Sequence, residues 1–67
     1  MELDVKKLRR AMAAKDFSVV GLARAAGVSA SAVNTWLNHQ TRPRMDTIGK
    51  LARALDMDIF ELTTEEA

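Results

Sequence analysis

The chain has 67 residues, of which 48% are hydrophobic and 28% charged, with no cysteine and a formal net charge of +1. A chain this short makes one domain that buries only about 60% of its unfolded surface, and the absence of cysteine excludes disulfides and thiolate metal sites. It is too apolar to be disordered. Its uninterrupted apolar runs are too short to span a membrane, and charges recur where a secretory signal would need an apolar core.

The small net charge conceals an uneven distribution. Residues 1 to 54 carry all ten Lys and Arg against Glu2, Asp4, Asp16 and Asp46, a net of +6, whereas residues 55 to 67 carry five acids and no base. A basic body with an acidic end can present a positive face to phosphates.

Period-two alternation and hairpin dipeptides are missing and alanine is abundant, so the chain reads as all-α. The first helix is expected over residues 4 to 15, with Val5, Leu8, Ala11 and Met12 on one buried stripe and Lys6, Lys7, Arg9 and Arg10 outside. Ser18 caps a second helix over 19 to 26, because its hydroxyl can accept from a free first-turn amide. Gly27 ends that helix by adopting the left-handed conformation. Ser29 caps a third helix over 30 to 38, with Val33 and Trp36 inward and Asn38 and His39 as terminators. Gln40, Thr41, Arg42 and Pro43 read as a polar loop, since Pro43 turns the preceding residue away from helical geometry. A fourth helix begins at Arg44 or Met45 and runs to Leu55, with Met45, Ile48, Leu51, Ala52 and Leu55 on one stripe. Asp58 caps a short fifth helix carrying Ile59, Phe60 and Leu62, and the acidic tail from Thr63 to Ala67 is expected to fray. No linker or repeat divides the chain, so residues 1 to 67 are read as a single domain.

Two short helices joined by a tight turn can cross steeply only where the contact residues are small and the turn holds a glycine. Ala23 supplies the small contact and Gly27 the turn, while Leu22, Ala26, Val28, Val33 and Trp36 form the apolar set beneath. Residues 18 to 38 therefore read as a helix-turn-helix.

On these residues the chain resembles the Cro and phage-repressor-like (XRE-type) helix-turn-helix family. Its members read roughly L-R-x-x-R-x-x-x-G-L-S-Q-x-x-L-A-x-x-x-G-V-S-x-x-x-I-S-x-W-E-x-G, followed by a proline loop. The matching stretch is LRRAMAAKDFSVVGLARAAGVSASAVNTWLNHQTRPRMDTIGKLARALDMDIFEL, residues 8 to 62. The resemblance implies a compact five-helix lambda-repressor-like DNA-binding domain, a homodimer on a palindromic operator and a cytoplasmic, bacterial or phage-encoded transcriptional regulator, repressor or Cro-like. In this family the third helix enters the major groove, where each base pair presents a distinct donor and acceptor pattern. Base contacts are expected from Ala30, Ser31, Asn34 and Thr35. Phosphate or minor-groove contacts are expected from Ser18, Asn38, Gln40, Thr41, Arg42 and Arg44, with Arg44 placed for the narrow minor groove. Ile59 and Phe60 are the possible dimer interface.

Three departures from the family pattern stand out. Where members commonly pair an arginine of the first helix with a glutamate ending the third, this chain has Met12 and Leu37. A buried ion pair replaced on both sides by apolar groups is often neutral or stabilising, so Leu37 is expected to pack on Met12. Val19 stands where a phosphate-gripping glutamine is frequent. His39 replaces the usual glycine and is expected to cap its helix, with no catalytic role. The alternative function is a helix-turn-helix turned toward a protein partner, such as an antitoxin or accessory regulator. An enzyme is not expected, because no nucleophile and base pair, carboxylate dyad or phosphate loop is present. Neither a cofactor nor a metal is expected.

Overall fold

The computed structural model describes residues 2–39 and 43–64. In chain order these form β1 (Glu2–Leu3), α1 (Val5–Ala14), α2 (Val19–Ala26), α3 (Ala30–His39), α4 (Met45–Ala54), a single 3-10 turn (Ile59–Glu61) and β2 (Thr63–Thr64). All four α-helices start within about one residue of their expected positions. For the first three the reason lies in their caps. Asp4 accepts from the amides of Lys6 and Lys7, Ser18 Oγ from Gly21 at 3.0 Å, and Ser29 Oγ from Ala32 at 3.1 Å, each satisfying donors that the helix ladder leaves unpaired.

Three helix ends share one device. After α1, Phe17 N donates to Met12 O and Asp16 N to Ala13 O; after α2, Val28 N donates to Ala23 O and Gly27 N to Arg24 O; after α4, Met57 N donates to Ala52 O and Asp56 N to Arg53 O. This is the Schellman arrangement, which requires a left-handed residue at its corner. The corners are Asp16, Gly27 and Asp56, with φ of 60°, 75° and 55°. Each corner is followed by an apolar residue, Phe17, Val28 or Met57, that packs against the core beside Met12, Ala23 or Ala52. The same motif thus stops the helix and returns the chain to the interior.

Leu8, Leu22, Val33, Ile48, Leu51, Leu55 and Leu62 are fully buried and draw the four helices and the final turn together. Met12 and Leu37 are both buried and belong to one cluster, as expected for a paired apolar replacement.

The fold departs from the all-α, five-helix expectation in two places. The fifth helix is only one 3-10 turn, opened by a capping box of Asp58 and Glu61: Phe60 N donates to Asp58 Oδ1 and Asp58 N to Glu61 Oε1, both at 2.9 Å. Of the tail expected to fray, Thr63 and Thr64 are ordered in a strand pair, and residues 65–67 lie outside the described residues. Thr63 and Thr64 pair antiparallel with Leu3 and Glu2, Asp4 N donates to Leu62 O at 2.8 Å, and Lys7 Nζ donates to Thr63 O at 2.9 Å. Thr63 is only 4% exposed, and its Oγ1 donates to Ile59 O. A ladder of two pairs is too short to show alternation; closure of the chain against α1 makes it. Met45, expected on the buried stripe of α4, is exposed, because as the first residue of the helix it lies at the open end of that stripe. No helix among the described residues is long and apolar enough to cross a membrane.

Candidate nucleic-acid interface

The α2–α3 unit is built from the small and apolar residues of its inner side. Leu22, Ala23 and Ala26 of α2 and Val33 and Leu37 of α3 are buried, while Val28 and Trp36 are half-buried between them and the surface. Helical spacing then decides what remains outside. With Val33 and Leu37 inward, Ser31, Asn34 and Asn38 fall on the opposite face of α3, and all three are exposed.

The expected base-contacting set divides on these grounds. Ser31 and Asn34 are open on the first and second turns of α3. Thr35 is half-buried, and its Oγ1 donates to Ser31 O at 3.0 Å, which leaves its methyl as the outward chemistry. Ala30, expected outward, is half-buried and packs against the core. Ala30 and Thr35 are thus less open than Ser31 and Asn34.

The expected phosphate-contacting residues occupy the two ends of this surface. Ser18 is exposed, and its Oγ already accepts from Gly21 N, so its hydroxyl hydrogen stays free to donate outward. The amides of Val19 and Val20 precede the first ladder bond of α2 and face the same end, where the partial positive charge of the helix lies. Val19 itself packs against the core, so the position that often grips phosphate in the family serves packing here. Val20 is 55% exposed. Asn38 is exposed near the far end of α3. Arg44 is exposed, with an extended backbone just before α4. Gln40, Thr41 and Arg42 lie outside the described residues.

Ile59 and Phe60, the expected interface pair, part company. Ile59 is half-buried and packs against the core, whereas Phe60 is 65% exposed. Phe60 borders an open groove of about 680 Å³ lined also by Ala11, Ala14 and Met57. Basic Lys7, Arg10 and Lys15 of α1 line it together with acidic Asp56 and Glu61. Sequence reasoning found the exposed aromatic but not the groove, since its lining comes from both ends of the chain. Among the described residues no group of three or more His, Cys, Asp or Glu side chains is placed to hold a metal ion.

Comparison with known proteins gives two findings. A family model described as the Cro/C1-type HTH DNA-binding domain matches residues 7–66. Among solved structures, a mutant of hydroxyethylphosphonate dioxygenase aligns with a TM-score of 0.84 at 22% sequence identity, over 100% of this chain and 14% of that one. At that identity the likeness is one of fold alone, and the dioxygenase activity belongs to that protein. No curated protein matches the chain.

Proposed function

The chain belongs to the Cro/C1-type helix-turn-helix DNA-binding family, and on that premise we propose that it is a sequence-specific transcriptional regulator, a repressor or Cro-like protein, that inserts α3 in the major groove of duplex DNA. The observation that carries this reading is the division of α3 into a buried side, Val33 and Leu37, and an exposed side, Ser31, Asn34 and Asn38. The exposed side chains are short. Base discrimination then rests on Asn34 toward an adenine, Ser31 toward either base edge and the Thr35 methyl toward a thymine methyl. Much of the affinity comes from the rim: Ser18 and the first amides of α2 on phosphate, and Arg44 in the minor groove, read through DNA shape. The protein works in the cytoplasm without a cofactor and has no catalytic activity of its own.

A palindromic site calls for two copies, and Phe60 with its groove supports an isologous homodimer. A two-fold axis there covers both Phe60 rings, and the groove carries both basic and acidic residues for pairing between copies. Sedimentation equilibrium tests this face: the parent chain runs as a dimer and Phe60→Asp as a monomer, and an unchanged mass for the variant rejects it.

Selection from a random duplex pool tests DNA reading directly. The expected product is two half-sites about one helical turn apart, 10–10.5 base pairs, bound with an affinity that falls steeply with salt. A pool that never enriches, with binding indifferent to salt, would favour the second reading, a module that docks on a protein. That reading draws on Val20, an apolar side chain exposed on the first turn of α2.

A further inference from the structure

The carbonyls of the last turn of any helix have no partner within its ladder. In α3 one of them, Leu37 O, accepts a hydrogen bond from Arg9 Nη2 at 3.0 Å, across 28 residues of sequence. This bond joins the middle of α1 to the end of α3, and it sets a guanidinium at the negative end of the α3 dipole. The other side-chain hydrogen bonds described at α3 are local, Ser29 Oγ with Ala32 N and Thr35 Oγ1 with Ser31 O. Beside the bond, Met12 lies one turn along α1 from Arg9, and both Met12 and the Leu37 side chain are buried in the common cluster.

The hydrogen bond and the apolar cluster constrain different things. Burial of Met12 and Leu37 in a common cluster is non-directional and tolerates rotation of α3 about its axis. A hydrogen bond to a fixed backbone carbonyl does not, because it weakens steeply as its angle departs from linear. We propose that Arg9 is a positioning residue for DNA reading: its clamp on Leu37 O fixes the rotation and tilt at which α3 presents Ser31 and Asn34. The family resemblance places an ion pair between side chains at Met12 and Leu37; this chain joins the same two helices through the neighbouring arginine and a carbonyl. The positioning role rests on the DNA-binding function proposed above, whereas the clamp itself does not.

Arg9→Gln, Arg9→Ala and Arg9→Lys test both parts. Without DNA, amide hydrogen exchange of the intact chain should speed up about 10-fold in the last turn of α3 for the Gln and Ala variants, with α2 unchanged. Equal exchange in parent and variants overturns the clamp, and a uniform increase across all helices reduces Arg9 to general stability. With DNA, the affinity for the selected site should fall about 10-fold in these two variants, with affinity for random duplex and the salt slope both unchanged. Arg9→Lys, which keeps a donor and a charge, should recover part of both effects. A parallel loss on specific and random DNA, with the salt slope shallower by about one, would make Arg9 a phosphate contact and refute the positioning role. If no DNA site is ever selected, the DNA reading and the positioning role fall together, while the exchange measurement still decides the clamp.

Discussion

Replacing Asp16 with glycine should make the protein more stable. Asp16 holds the corner after α1 at φ 60°, a conformation that costs an ordinary L-residue about 1–2 kcal/mol and a short polar residue such as aspartate somewhat less. It also sets a carboxylate against the negative end of the α1 dipole, unfavourable by about 0.3–1 kcal/mol at an exposed site. Glycine removes both effects and keeps the two bonds of the motif, Asp16 N to Ala13 O and Phe17 N to Met12 O, since both use backbone atoms alone. Against this stands the greater freedom of glycine in the unfolded chain, about 0.4–1 kcal/mol. The net expectation is about 0.5–1 kcal/mol of added stability, or a rise in Tm of about 2–8 °C for a domain of this size. Thermal unfolding followed by far-UV circular dichroism reads it, and Asp16→Asn separates the contributions, because it removes the charge while leaving a side chain at the left-handed corner. A melting temperature for Asp16→Gly at or below the parent's would refute the argument. Equal gains for Gly and Asn would assign the whole effect to charge.

Other substitutions follow from the same structure. Gly27→Ala meets no atom within 4 Å, so it isolates the backbone strain at φ 75° and should lower stability by about 1 kcal/mol, read as a fall in Tm. Leu37→Glu places an unpaired carboxylate in the core cluster and should cost about 3–5 kcal/mol; adding Met12→Arg should return part of the loss, and an unaltered melting curve for the single variant would disprove the packing of that seam. Thr63→Val removes the donor to Ile59 O at a nearly sealed position. Because Ile59 O keeps its bond from Leu62 N, it should lower the urea midpoint by the equivalent of about 0.5–1.5 kcal/mol with the m-value unchanged.

The helices are legible because their boundary chemistry is local. Ser18, Gly27 and Ser29 act on atoms two to five residues away, so the bounds of α2 and the start of α3 follow from the chain alone. What the sequence conceals is produced by contacts between distant segments. The pairing of Glu2–Leu3 with Thr63–Thr64 has no alternation to reveal it, and the exposure of Met45 depends on where neighbouring helices end. Ala30 carries an ordinary helix residue's signature, yet it is half-buried against the core. The corners at Asp16 and Asp56 lie between these cases. Neither is glycine, so the usual sign is missing, but Lys15-Asp16-Phe17 and Leu55-Asp56-Met57 repeat the step from a polar corner to an apolar anchor seen at Gly27-Val28. In the binding surface, the exposed face of α3 follows from Val33 and Leu37 by helical spacing. The Arg9 bond to Leu37 O does not, since nothing near Arg9 in sequence announces a carbonyl 28 residues away.

The short ladder has a consequence for how such a fold can be carried. Glu2 faces Thr64 across an antiparallel pair, a separation of only about 5 Å between Cα atoms, so the strand that comes in and the strand that leaves run side by side. A host protein receiving this unit in a surface loop would need only to hold two neighbouring strands, with little loop-closure entropy to overcome. The Lys7 bond to Thr63 O ties the outgoing strand to α1. Grafting Glu2–Thr64 between the arms of an unrelated β-hairpin would carry the whole helix-turn-helix as a single cassette.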